Sequence, residues 1–288
     1  MLKRLLANIV LLQIVSDLHL ETHPSYRDFD LPATARYLAL LGDIGHVCDE
    51  AFFKWLESLL GRYETVLFLF GNHEPYHMRL SSAKSRMRCF AVKMERLRLT
   101  SSIGQFVFLD QTRYDFPTAP NVGVTILGCT LFSRVVPEQA REVVHRFVDF
   151  KDMIDWDVED HNDCHQADVQ WLNKVVEKIS EEDPERKIII FTHYSPSIDH
   201  RTKNPRYPKS SVDSGFMTDL SGQVCWKRST VKLWASGHTH FNFDFKDEET
   251  GKRVVANQKG YYPTLPSSKK GADGNGFDVG KTFDLGAL

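Results

Sequence analysis

Five short segments of this chain carry side chains that bind metals or move protons: Asp17-Leu18-His19, Gly42-Asp43, Gly71-Asn72-His73-Glu74, Thr192-His193 and Gly237-His238-Thr239-His240. Taken singly, each reads as an ordinary turn. Leaving His73 and Glu74 aside, they pool two carboxylates, one amide oxygen and four imidazoles, with no thiolate. A mixed oxygen and nitrogen set of this kind suits Mn, Fe, Zn or Co better than Ca or Mg, and does not suit an iron–sulfur cluster. Seven donors exceed what one tetrahedral ion takes, so two ions sharing one carboxylate is the economical arrangement. Such a pair, roughly 3.5–4 Å apart, can carry a bridging hydroxide and hold both the attacking and the leaving oxygens of an in-line displacement.

Segments this far apart need a scaffold that gathers them. Ile9–Val15, Tyr37–Leu41, Val66–Phe70, Val124–Leu127, Ile188–Phe191, Leu233–Ala235 and Arg253–Ala256 read as strands, several of them continuously apolar. Ala51–Leu60, Ser81–Leu99, Gln139–Phe147 and His165–Ser180 read as helices. This alternation predicts an α/β fold, and the five segments directly follow predicted strands, at the sheet edge where ligands bind. The glycines before Asp43, Asn72 and His238 permit tight turns there. Without an internal repeat or a Pro/Gly/Ser-rich linker, residues 1–288 read as a single domain. Residues 264–288 are expected as an irregular C-terminal tail, with Thr282–Leu285 adding an edge strand.

Composition narrows the classes. A 42% hydrophobic content is too high for a disordered chain, and a net charge of -2 provides no global attraction to nucleic acid or anionic membrane. No stretch is long enough to span a bilayer. Five dispersed cysteines (Cys48, Cys89, Cys129, Cys164, Cys225) without a C-x-x-C pair point to the reducing cytoplasm rather than to a disulfide framework. Met1–Val15 is basic then apolar, yet it is expected to be a retained core strand, because it feeds Asp17 and His19.

At these residues the chain resembles the calcineurin-like metallophosphoesterase family, whose pattern is D-x-H, G-D, G-N-H-[ED], H and G-H-x-H. It looks most like the small stand-alone members reading S-D-L-H-L-E, G-D-I-G, G-N-H-E, T-H-[HY]-[SA]-P-S and G-H-T-H, and the likeness runs from Ile9 to about Tyr262. The resemblance implies a four-layer αββα sandwich with two transition-metal ions (Mn, Fe or Zn) at the sheet edges. Asp17, His19 and His240 would bind the first ion, Asn72, His193 and His238 the second, and Asp43 would bridge them. It also implies a catalytic pair, Asp43 and His73, with Asn72, His73 and His193 facing the substrate phosphate. The implied reaction is attack of a metal-bridging hydroxide on a phosphodiester or phosphomonoester, and the compact chain without a DNA-binding appendage favours a small, nucleotide-type substrate. Its partner is then a small phosphate ester, with no role for nucleic acid or membrane.

The sequence departs from the family at one point. Where many members read G-D-x-x-D, this chain has His46, so Asp49 and Glu74 become the candidates to orient His73. The arginine of the longer G-D-x-x-D-R-G motif is missing too, which weighs against a phosphoprotein phosphatase. A non-catalytic metal-binding scaffold for protein interaction is the other alternative, and the completeness of the seven donors weighs against it.

Secondary candidates lie outside the pattern. His161 and His165 are spaced i, i+4 and are expected at an exposed, capped helix start, with Asn162 and His165 as substrate-side candidates. Tyr76, His77, Tyr194 and His200 are expected at the pocket rim, His23 and His145 on the surface. The basic residues of Ser81–Leu99 are expected to form a solvated face opposite Met87, Phe90, Met94 and Leu97. Residues 199–209 are expected to form a loop over the site.

Overall fold

The computed structural model describes residues 10–22, 25–116, 123–208, 210–261 and 276–288, and element counts refer to these. Strands β1 (Leu11–Val15), β2 (Tyr37–Leu41), β3 (Thr65–Leu69) and β4 (Gln105–Phe108) run parallel and adjacent in that order. A second sheet is built from β5 (Thr112–Asp115), β6 (Val124–Gly128), β7 (Lys187–Phe191), β8 (Val231–Ser236), β9 (Phe243–Lys246) and β10 (Arg253–Ala256). Its order is β5-β6-β7-β8-β10-β9, with β6, β7, β8 and β10 parallel and the two edge strands antiparallel. The final strand, β11 (Thr282–Asp284), pairs antiparallel with β1 and closes the first sheet.

The two sheets pack face to face. Leu12, Ile14, Ala39 and Leu67 meet Ile126, Ile189, Phe191 and Leu233 in a shared apolar layer. Helices α1 (Glu50–Leu59) and α2 (Leu80–Arg98) cover the outer face of the first sheet through Phe52, Leu56, Met87 and Phe90. After the short α3 (Pro137–Arg146) and α4 (Asp149–Asp152), α5 (Val158–Glu182) and α6 (Val224–Lys227) cover the second sheet, with Leu172, Val176 and Ile179 against Ile190 and Trp234. Burial on both faces explains the continuously apolar strands. The architecture is the αββα layering that the resemblance implied.

The seven strands read from the sequence form within two residues of their expected ends, and β11 is the expected edge strand. β1, at the end of the Met1–Val15 segment, lies buried between β11 and β2, while residues 1–9 lie outside the described residues. The sequence reading missed β4, β5 and β9, which are four-residue strands near or at sheet edges; β5 (TRYD) has no apolar run to announce it. Residues 264–275 of the tail and His23 lie outside the described residues, while His145 is exposed as expected. Among the described residues, no helix is long and apolar enough to cross a membrane. The cations of α2 are largely paired: Lys84 and Arg88 with Asp110, Arg86 with Glu50, Arg98 with Glu95.

One expectation is corrected. α5 begins seven residues before its expected start at His165, because Asp157 accepts from the N–H groups of Glu159 and Asp160 while the Asp160 carboxylate accepts from the Asp157 N–H. His161 and His165 are therefore inside the helix and buried, not exposed at its start. That face of α5 satisfies the backbone of residues 131–135. His161 Nε2 accepts from the Ser133 N–H (3.2 Å), His165 Nδ1 donates to the Leu131 carbonyl (2.9 Å), and Asn162 bonds both the N–H (2.8 Å) and carbonyl (3.2 Å) of Val135. Asn162 and His165 thus turn polar atoms to the backbone of residues 131–135.

Burial, with His165 beside it, pushes the His161 pKa down to about 3. The unfolded chain takes up this proton near pH 6.5 and the folded one only near pH 3. Stability is therefore lost as pH falls through that window, by up to ~1.4 kcal/mol per pH unit for one group. His161→Gln should flatten the slope of unfolding free energy against pH by about one proton between pH 6 and 4, read by urea titration. An unchanged slope would show that His161 titrates freely in the fold.

Candidate metal centre

Each of the five segments sits at the carboxyl end of a parallel strand: Asp17 and His19 after β1, Asp43 after β2, Asn72 and His73 after β3, His193 after β7, His238 and His240 after β8. Cross-links at the sheet edge draw them together. The Asp17 N–H donates to the Gly42 carbonyl (3.0 Å), the His238 N–H to the Asp17 carboxylate (3.1 Å), and His193 Nδ1 to the Leu41 carbonyl of the opposite sheet (2.8 Å). Two glycines make the approach possible. A Cβ at Gly71 would lie 2.7 Å from His193 Nε2, and one at Gly237 would lie 2.6 Å from Asp17 Oδ2. Several donors adopt the left-handed region themselves: Asp17 (φ 54°), His19 (50°), Asp43 (53°), His238 (68°) and His240 (51°).

The donor atoms converge in two groups. Asp17, His19 and His240 form the first, with His240 Nε2 at 3.3 Å from Asp17 Oδ1 and 3.0 Å from His19 Nε2. Asp43, His193 and His238 form the second, with Asp43 Oδ2 at 3.2 Å from His193 Nε2, and Asn72 Oδ1 also at 3.2 Å from that nitrogen. Asp43 Oδ2 lies 3.9 Å from His19 Nε2, so this one oxygen stands between both groups. Within each group the ligand atoms lie within 4.8 Å of one another.

Outer partners set the tautomers that cation binding requires. His193 donates its Nδ1 proton to Leu41 and His19 donates its own to Glu21 (3.1 Å), so that Nε2 of each ring faces the centre. His238 Nε2 donates to the Gly215 carbonyl (3.3 Å), which leaves Nδ1. Asn72 donates its amide to Asp149 (2.8 Å), turning its oxygen inward. The electrostatics agree. Burial disfavours a proton on His193, but Asp43 and Asp17 outweigh it and raise its pKa to about 10. Burial likewise opposes charge on Asp43, yet His193 and His73 hold it well below the usual carboxylate range. The buried carboxylates call for positive charge, and the donor set fits transition-metal cations.

A cleft of about 590 Å³ opens over this floor. Asp43, Asn72, His73, Tyr76, His238 and His240 line it, beside Arg146, Phe147 and Val148 and the 202–217 segment with Lys203, Tyr207 and Phe216. Of the expected 199–209 loop, Thr202, Lys203, Asn204 and Tyr207 line the cleft, while Lys209 lies outside the described residues. His193 is wholly buried beneath Asp43 and Asn72, so it serves the centre from below instead of lining the cleft. Tyr194 is buried too, with its hydroxyl on Asp149 (3.3 Å), and is not among the residues that line the cleft. His200 is exposed, away from the lining residues.

His73 is oriented by neither expected carboxylate. Glu74 binds the backbone N–H groups of Asp43, Ile44 and Gly71, and Asp49 accepts from the Tyr26 hydroxyl. Instead Glu21 Oε1 accepts from His73 Nδ1 at 3.0 Å. Burial works against charge on His73, but Asp43 and Glu21 outweigh it and lift its pKa to about 9. The sequence reading also missed Tyr261, whose ring stacks on His19 and whose hydroxyl lies 2.9 Å from His73 Nε2, and Asp149. Only Glu21 had a sequence signal, a carboxylate two residues beyond a strand-end histidine.

Comparison with known proteins agrees with this geometry. A family model described as calcineurin-like phosphoesterase matches residues 13–242. Uncharacterized protein L509 of Acanthamoeba polyphaga mimivirus is 24% identical over 275 residues, spanning 87% of this chain and 91% of its own length. Among solved structures, the phosphopantetheinyl hydrolase PptH of Mycobacterium tuberculosis superposes with a TM-score of 0.65 at 14% identity, covering 88% of this chain and 91% of that one. A dimetal phosphatase from Danio rerio gives 0.47 at 15% identity, over 86% and 87% of the two chains. Because the family match runs from β1 past the last of the seven donors, the chain belongs to the calcineurin-like phosphoesterases and is a metal-dependent hydrolase of phosphoric ester bonds.

Proposed function

We propose that one domain, spanning the whole chain, hydrolyses a phosphodiester or phosphomonoester of a small, nucleotide-type substrate. The observation that carries this reading is Asp43 Oδ2, placed between two donor groups on the floor of a cleft with room for a small ester. Asp17, His19 and His240 would hold one ion, Asn72, His193 and His238 the other, and Asp43 would face both. When bound, such a pair supplies positive charge at the phosphoryl oxygens and an activated water as nucleophile.

The chain's own residues do the rest. His73, held through Nδ1, presents Nε2 to the cleft, where a proton can pass to the departing oxygen. Asp149 and Tyr76 keep Asn72 from turning. Phe147, Val148 and Phe216 provide an apolar wall that excludes water beside the centre and can receive a flat organic group, with Arg146 and Lys203 in the same wall for a second anionic group. The five free cysteines, two of them buried, support a reducing cytoplasmic setting.

A hydrolysis panel tests this reading: a chromogenic diester, its monoester, cyclic nucleotides and a phosphopeptide, with and without added Mn. Turnover of the small esters should appear with Mn, disappear on chelation, and return on reloading. Chelation should also lower the melting temperature, since buried carboxylates lose their counter-charge. Preference for the phosphopeptide, or no turnover with two ions bound, would overturn the proposal.

A further inference from the structure

Position 46 holds a histidine, yet His73 still has a carboxylate partner, supplied by the segment that follows β1. Glu21 is 7% exposed, and a single oxygen, Oε1, accepts from both His73 Nδ1 (3.0 Å) and His19 Nδ1 (3.1 Å). The two rings meet edge to face with centroids 4.5 Å apart. With Nδ1 so committed, Nε2 of His19 faces His240 at 3.0 Å, and Nε2 of His73 lies at the cleft floor, 2.9 Å from the Tyr261 hydroxyl and 4.0 Å from Asp43 Oδ2. The other nearby acids are engaged, Glu74 with backbone and Asp49 with Tyr26.

We infer that Glu21 is a positioning residue that serves two histidines at once, aiming a metal donor and a proton donor with one carboxylate oxygen. The inference rests on the phosphoester reading of the site. Its consequence is a coupling: a change at Glu21 reaches both the affinity for one ion and the proton transfer to the leaving group. An outer partner of this kind is typically worth ~10–100-fold in metal affinity or activity.

The full chain, loaded with Mn, tests it as Glu21→Gln, His73→Asn and the double variant. Equilibrium dialysis should show one of two metal equivalents weakened about 10–100-fold by Glu21→Gln. At saturating Mn, kcat should fall by a similar factor with KM nearly unchanged, and more for a phenyl ester than for a p-nitrophenyl ester, whose leaving group needs less protonation. In the His73→Asn background, Glu21→Gln should cost no further kcat. Equal losses for both esters, or additive losses in the double variant, would show a merely structural role. A third metal equivalent lost in Glu21→Gln would also overturn the inference, since Glu21, His46 and His73 would then be ligands. Should Glu21→Gln fail to fold, Glu21→Asp retains the charge but is one methylene short, and the same pattern is expected at smaller size. If the wild type cleaves none of the esters, the phosphoester reading fails, while the dialysis difference still judges the hold on His19.

Discussion

Asp43→Asn should leave a folded protein that holds at most one metal ion and hydrolyses esters roughly 10³-fold more slowly, a loss of ~4 kcal/mol in transition-state stabilisation. Asparagine matches the shape of aspartate and can still accept the His73 N–H that Oδ1 takes at 2.9 Å. What it cannot reproduce is the charge on Oδ2, which lies 3.2 Å from His193 Nε2, 3.9 Å from His19 Nε2 and 4.0 Å from His73 Nε2. At a buried position, with little water to screen it, that charge is felt by both donor groups and by the proton donor together. Metal analysis, circular dichroism and turnover of one chromogenic ester suffice. Full activity with two ions bound would refute the placing of Asp43 between two cations.

Glu74→Ala should be the most destabilising single change at the site. Its carboxylate is wholly buried and accepts from three backbone N–H groups, those of Asp43 (3.0 Å), Ile44 (2.8 Å) and Gly71 (2.6 Å). Removing it leaves three buried donors without an acceptor, at ~1–3 kcal/mol each. A loss of about 3–9 kcal/mol corresponds to a melting temperature lower by roughly 6–36 °C, at ~2–4 °C per kcal/mol. The same change removes two of the hydrogen bonds that link the loops after β2 and β3, so metal affinity should fall with stability. Glu74→Gln keeps one acceptor oxygen but turns an amide toward the other donors, and should lie between. Thermal unfolding of the metal-free and loaded forms decides it. An unchanged melting temperature in the metal-free alanine variant would show that the two loops hold themselves.

The seven donors and the strands before them were legible because both signals are local. An apolar run ending in a glycine turn and a metal-type side chain needs no distant information. The role of Glu21 was not legible, because it depends on how the turns after β1 and β3 face each other, which no spacing encodes. The polar stretch Glu159-Asp160-His161-Asn162-Asp163 reads as a solvated helix start. Two of its residues instead complete the hydrogen bonds of a segment about 27 residues earlier, a long-range need that outweighs local polarity. Asp149 comes from a four-residue helix with no sequence signature, yet it decides which way Asn72 points.

The left-handed backbone at Asp17, His19, Asp43, His238 and His240 bears on how such a protein can diverge. For an ordinary residue that conformation costs ~1–2 kcal/mol, and glycine, asparagine and aspartate tolerate it best. A lineage that abandoned hydrolysis would be released from the chemistry at these positions but not from their turns. Drift there would favour glycine and asparagine over leucine or valine. The vanished centre would persist as a row of turn-forming residues at three strand ends, a fossil outline readable after every ligand had gone.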